Sequence, residues 1–167
     1  MSASKVVLIT GTSSGIGLAT AVAAARSGWH TVATLRDTSR ADALRAAASE
    51  AGVADKIQIR QLDVTDPTSV AASVDGVLAE HGRLDAVINN AGAGHVGTIE
   101  QESIADVRDV MELNFFGVVQ VTRAALPHLR ASTGRLVTVT SVGGVVGQPF
   151  TPNRIGRPSG SRRRPGR

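Results

Sequence analysis

Three glycines within seven residues open the chemistry of this chain. Thr10-Gly11-Thr12-Ser13-Ser14-Gly15-Ile16-Gly17 follows a short β-branched run and leads directly into an Ala-rich stretch. Glycine lets the backbone turn tightly and come close to a ligand, and the start of a helix offers unpaired N–H groups with a partial positive charge. Together these features can cradle a pyrophosphate; the bland counterpart is a Gly-rich turn joining a strand to a helix. Further polar groups follow at intervals: Arg36-Asp37, Asp63-Val64, Asn89-Asn90-Ala91-Gly92, Asn114 and Thr140-Ser141. The four histidines, His30, His81, His95 and His128, have no metal-ligand spacing. They read as solvated or structural, with His95 alone near enough to a Gly-rich loop to face a substrate.

The elements that must position these groups alternate in period. Strand-like runs are predicted at Val6–Thr10, Thr31–Leu35, Ile57–Leu62, Ala86–Asn89 and Arg135–Thr140. Helices are predicted at Gly15–Ser27, closed by Gly28, and at Ser39–Ala51, stopped by Gly52. A third runs from Pro67 to about His81, with Asp66 as cap, proline at the first helical position and Gly82 beyond it. After the loop Ala91–Gly97 a long helical region from about Ile104 to Arg130 is expected to break near Asn114 and bend at Pro127. Strands and helices alternating at this spacing mean right-handed βαβ units, hence an α/β, doubly wound parallel sheet with helices on both faces. In such sheets ligands bind at the carboxyl ends of the strands, where Asp63, Asn89–Gly92 and Thr140-Ser141 fall.

With those four separated motifs in order, residues 5–150 resemble the classical short-chain dehydrogenases/reductases: the glycine motif Gly11–Gly17, the Asn89–Gly92 motif, a helical Asn at 114 and an active-site Ser at 141. The texture of Ala33–Asp37 and Ser141–Gly144 is similar to the branch that contains 17β-hydroxysteroid dehydrogenase type 1 and related retinol and ketone reductases. The resemblance implies a sheet of Rossmann type with an incomplete second half, and a nicotinamide dinucleotide held by Gly11, Thr12, Ser13, Ser14, Gly15, Ile16, Gly17, Arg36, Asp63, Val64, Asn90, Ala91, Gly92 and Thr140. Asp63 would take the adenine amine; otherwise it is a cap. Arg36 would pair with a 2′-phosphate through its planar fork, which favours NADP, while Asp37 keeps NAD open. Ser141 would donate to a substrate carbonyl, and Asn114 would support a proton relay, in a hydride transfer between a small alcohol and ketone.

That chemistry also needs a proton donor, which the family supplies as a Tyr acidified by a Lys one helical turn later. The 167 residues contain no Tyr. Arg154 and Pro158 stand where the pair is expected; arginine keeps its proton at working pH and proline breaks the helix that would present it. The only lysines, Lys5 and Lys56, stand at the amino ends of strands, the wrong edge of the sheet. Little or no turnover is therefore expected, leaving a non-catalytic dinucleotide-binding module as the alternative.

Residues 151–167 hold six arginines, three prolines, three glycines and no acid, whereas the first 150 residues carry twelve basic and fourteen acidic groups. The overall charge of +4 thus comes from the tail, and a basic-tailed nucleic-acid or anion-binding protein is disfavoured because the folded part is mildly acidic. The organisation expected is a dinucleotide-binding domain over 1–150 and a disordered basic tail over 151–167. A frameshift just after Asn153 would explain the change of composition. Without a sixth strand, Leu136, Val137 and Val139 would line an unpaired edge and the usual oligomer interface would be incomplete. The absence of Cys excludes disulfides and thiolate sites. No leader or membrane span is legible, which gives a cytoplasmic expectation.

Overall fold

The structure is a computed structural model that describes residues 4–94, 98 and 100–141. His95, the Val142–Gly144 texture, Arg154, Pro158 and the tail 151–167 lie outside the described residues. Five parallel strands form one sheet: β1 (Val6–Thr10), β2 (His30–Leu35), β3 (Ile57–Gln61), β4 (Ala86–Asn89) and β5 (Arg135–Thr138). Their order across the sheet is β3-β2-β1-β4-β5, so the chain reverses direction of growth between β1 and β4. The doubly wound sheet expected from the alternating periods is what the chain forms.

Both faces are covered, which is why β1 reads as a nearly continuous apolar run and β2 is buried from Thr31 to Leu35. Val6, Leu8, Val32 and Val87 face one layer together with α3 (Pro67–His81) and α5 (Gly117–Ser132), burying Val70, Val77, Val121 and Leu129. Val7, Ile9, Ala33 and Leu35 face the other, against α1 (Gly15–Arg26) and α2 (Asp42–Glu50), burying Ala21 and Leu44. Alternate residues of each strand thus serve opposite cores, as the two-residue period requires. Ala21 and Ala25 of α1 are fully buried, so small side chains let the helix sit close on the sheet.

Several boundaries differ from expectation, most by one residue, as at the end of α1, the start of β2 and the end of β3, with larger differences at α2, β5 and the long helical region. The predicted helix Ser39–Ala51 is divided: a 3₁₀ turn at Thr38–Arg40 precedes α2, because Asp37 caps that turn instead of leaving Ser39 to open the α-helix. β5 stops at Thr138 rather than Thr140, although the Val139 amide still donates to the Asn89 carbonyl at 2.9 Å. The long helical region is α4 (Ile104–Met111), a π-helical turn at Glu112–Phe116 that contains Asn114, and α5. Pro127 interrupts nothing: it and Arg123, whose carbonyl loses its partner, are both exposed, where water can satisfy that oxygen.

Among the described residues the sheet has β3 at one edge and β5 at the other. Leu136, Val137 and Val139 are 41 %, 48 % and 39 % exposed. No helix among the described residues is long and apolar enough to cross a membrane.

Candidate functional site

At the carboxyl ends of the strands, on either side of the point where growth reverses, lies an open cleft of about 640 Å³. This is the place where open α/β sheets take ligands. Gly11, Ser13, Ser14, Ile16, Gly17, Arg36, Asp63, Val64, Asn90, Ala91 and Gly92, all singled out in the sequence, line it. So do Asp37, weighed in the sequence for nucleotide choice, and residues that sequence reasoning left aside, among them Arg40, Ala93 and Leu113.

The turn from β1 into α1 requires its glycines for separate reasons. Gly11 has φ +71°, and a Cβ there would stand 2.7 Å from the Ala91 Cα. Gly17 is buried, and a Cβ there would stand 2.2 Å from the Gly11 carbonyl oxygen and 2.4 Å from the Asn90 amide nitrogen. Gly15 has φ +57° with open space around it. The N-cap of α1, Ser14, makes no side-chain cap bond, and no acid occupies the first turn. By contrast, Asp66 caps α3 through the Thr68 amide and Ser103 forms a capping box on α4. The positive end of α1 therefore meets the cleft without a protein anion of its own.

Asn90 works as a staple behind this turn. Its side-chain amide donates to the carbonyls of Thr10 and Gly11, both at 2.9 Å. The buried Thr10 hydroxyl accepts from the amides of Asn90 at 3.0 Å and Ala91 at 2.9 Å. Thr12 is fully buried and points away from the cleft: its amide and hydroxyl both donate to the Thr34 carbonyl at 3.1 Å, tying the turn to β2. Thr10 escaped the sequence reading because its partners lie about 80 residues away, and no local pattern announces them.

At the end of β2 the cleft is lined by Arg36, Asp37 and Arg40, all exposed. Asp37 Oδ1 accepts from the Ser39 amide at 3.0 Å and from its hydroxyl at 2.7 Å. Asp63 shows the same habit: Oδ1 accepts from the Thr65 amide at 3.0 Å and hydroxyl at 2.7 Å, the cap considered as its alternative role. Val64 is buried, packed so that a Cβ on Gly117 would stand 2.8 Å from it.

Asn114 reaches across from the π-helical turn. Its carbonyl oxygen accepts from the Ala93 amide at 3.0 Å, and its amide donates to the Ala93 carbonyl at 2.8 Å. This two-way clasp fixes the loop that follows β4, and a Cβ on Gly92 would stand 2.9 Å from the Asn114 oxygen. Thr140 and Ser141 follow β5, exposed, and are not among the residues that line the cleft. No group of three or more His, Asp and Glu able to hold a metal exists among the described residues.

These features fit a nicotinamide dinucleotide: backbone that approaches closely because side chains would collide, a helix N-terminus free of a protein anion, and cations at the β2 end. The comparisons with known proteins agree. A family model described as short chain dehydrogenase matches residues 5–153. An uncharacterized oxidoreductase, YusZ of Bacillus subtilis, is 39 % identical over 146 residues, spanning 87 % of this chain and 51 % of that protein. The mouse 17-beta-hydroxysteroid dehydrogenase type 1 is 40 % identical over 150 residues, 87 % of this chain and 43 % of its own length. Among solved structures, the F189W variant of an actinorhodin polyketide ketoreductase with NADPH superposes with a TM-score of 0.82 at 32 % identity, over 89 % of this chain and 57 % of that one. The chain spans about half the length of the curated relatives it matches.

Proposed function

The chain belongs to the short chain dehydrogenase family, and from that premise we propose that its cleft binds a nicotinamide dinucleotide, NADP in preference to NAD. The observation that carries this reading is the collision at Gly17, where only a missing side chain lets the turn close on Asn90 and bring the α1 amides to the cleft. The amides of Gly15, Ile16 and Gly17 would hold the pyrophosphate, and Arg36 the 2′-phosphate. Asp63 would accept from the adenine amine through the carboxylate oxygen not given to Thr65. Gly92 and Ala93, clasped by Asn114, would form the wall beside the nicotinamide. An NADPH-bound ketoreductase of similar fold supports the choice of nucleotide.

The reaction class is hydride transfer between an alcohol and a ketone. When bound, the nicotinamide supplies or accepts the hydride. Ser141 would donate a hydrogen bond to the substrate oxygen and lower the cost of the charge that gathers there. Asn114 keeps its side chain on Ala93, so its support for a relay would come from the carbonyls that the π-helical turn leaves out of the regular ladder. Proton delivery to that oxygen has no tyrosine to perform it within these 167 residues. Loss of a positioned acid costs typically ~10²–10⁴-fold in rate. The 167-residue chain is thus read as a nucleotide binder that turns over slowly or not at all.

Calorimetric titration with NADP and NAD, alongside reduction assays on a panel of small ketones, tests both halves. Micromolar binding without measurable turnover is the expected result. Turnover at about 10 s⁻¹, the median of ordinary enzymes, would contradict the catalytic half, and absence of binding the other.

A further inference from the structure

Asp37 sets two nucleotides in competition. It follows Arg36 directly at the end of β2 and shares the cleft wall with Arg36 and Arg40. An acid at this place suits the hydroxyls of an adenosine ribose, whereas an arginine suits a phosphate on the same ribose. Charge alone settles little, because two guanidinium groups and one carboxylate leave a single positive excess on an exposed, salt-screened surface. The geometry of the acid decides.

That geometry is local. The Ser39 amide and hydroxyl both donate to Asp37 Oδ1, at 3.0 and 2.7 Å. Asp37 thereby becomes the N-cap of the turn Thr38–Arg40, which the Arg40 amide closes onto the Asp37 carbonyl at 3.2 Å. The turn brings Arg40 to the cleft four residues after Arg36. The Ser39 hydroxyl bond and then its amide bond, with Arg40 and Arg36 nearby, hold the Asp37 carboxyl below the ordinary carboxylate value, so the cap is ionised and engaged at neutral pH.

We propose that Ser39 is a specificity-determining positioning residue for nucleotide choice: it commits one oxygen of Asp37 to the turn, denies the adenosine ribose a two-oxygen acceptor, and sets Arg40 beside Arg36 to receive a 2′-phosphate. This inference rests on the reading of the cleft as a nicotinamide dinucleotide site and adds the residue that discriminates between the two dinucleotides. Arg40 and Ser39 do not touch the reacting atoms, so the effect falls on binding rather than on chemistry.

The test is a set of calorimetric titrations of the full 167-residue chain with NADP and with NAD, for wild type, Ser39→Ala, Ser39→Thr and Asp37→Asn. The readout is the ratio of the two dissociation constants. Ser39→Ala is expected to move the ratio toward NAD by about three- to tenfold, the worth of one hydrogen bond in an exposed setting. Ser39→Thr keeps the hydroxyl and is expected to keep the wild-type ratio. Asp37→Asn is expected to tighten NADP while leaving NAD within about twofold, since the acid serves the turn and not the ribose. A tenfold loss of NAD affinity in Asp37→Asn would make Asp37 a ribose ligand and overturn the proposal. A ratio unmoved in Ser39→Ala, including the case where both nucleotides weaken equally through damage to the turn, overturns it as well. Should wild type bind neither nucleotide, the reading of the cleft fails and this inference with it; binding with an unmoved ratio sinks only the role of Ser39.

Discussion

At the scale of single residues, the backbone at the cleft is held by contacts that tolerate no added atom. Gly17→Ala places a methyl group 2.2 Å from a backbone oxygen. Because that oxygen belongs to the turn itself, relief requires moving the phosphate cradle, and nucleotide affinity is expected to fall at least about tenfold with a stability loss of roughly 1–3 kcal/mol. Titration and thermal melting of the variant measure both. At the opposite edge of the sheet, Asp85 is 4 % exposed and accepts from the Val6 amide at 2.8 Å and from Arg83 at 2.8 and 2.6 Å. Burial pushes its carboxyl up, but the Arg83 guanidinium and the Val6 amide outweigh it and leave the group below its ordinary value of 3.8. A lowered folded value stabilises the fold above pH 3.8 and loses that contribution as pH falls through the lowered value. Asp85→Asn is therefore expected to cost roughly 1–3 kcal/mol in urea unfolding at pH 7, a difference that shrinks below about pH 4. The glycine spacing was legible because its demand is local. The roles of Thr10, Asn90 and Asp85 were not, since each depends on strands brought together from distant parts of the chain. Arg40 had a local signal that was passed over, an Asp two residues before a Ser, which is the pattern of a side-chain capped turn.

At the scale of elements, boundaries were readable where the stop and start signals were explicit. α3 begins at Pro67 after Asp66 and ends at His81 before Gly82, whose φ is +68°, so both termini follow from residue types alone. The start of α2 was misplaced because Asp37 spends its cap on a 3₁₀ turn. The break near Asn114 was foreseen, but its form, a π-helical turn and not a loop, follows from packing that no periodicity encodes. The clasp between Asn114 and Ala93 makes this turn the support of the loop after β4. Asn114→Ala is expected to accelerate hydrogen exchange at the Ala93 amide by about tenfold and to weaken nucleotide binding, while exchange within β1 and β2 stays slow. Equal exchange at Ala93 in both proteins would remove the clasp from the design of the site.

At the scale of the whole molecule, alternating periods indicated a doubly wound parallel α/β sheet, but the order β3-β2-β1-β4-β5 is set by long-range strand pairing and was not legible in the sequence. Among the described residues β5 is an edge strand with Leu136 and Val137 exposed and Val139 exposed just beyond it, an apolar edge that invites pairing between copies. Val137→Lys is expected to raise the soluble fraction and slow aggregation by light scattering without altering nucleotide affinity, because the residue lies on β5 and outside the cleft lining. The claim on which function depends is that nicotinamide dinucleotide occupies the carboxyl edge of the sheet. Amide NMR of the labelled chain during titration with NADP tests it most directly. Shifts should concentrate at Gly11–Gly17, Arg36, Arg40, Asp63 and Asn90–Ala93, with the amides of Val6 and Asp85 at the far edge unmoved. A spectrum that does not change, or shifts gathered around Asp85 and Arg83, would contradict it.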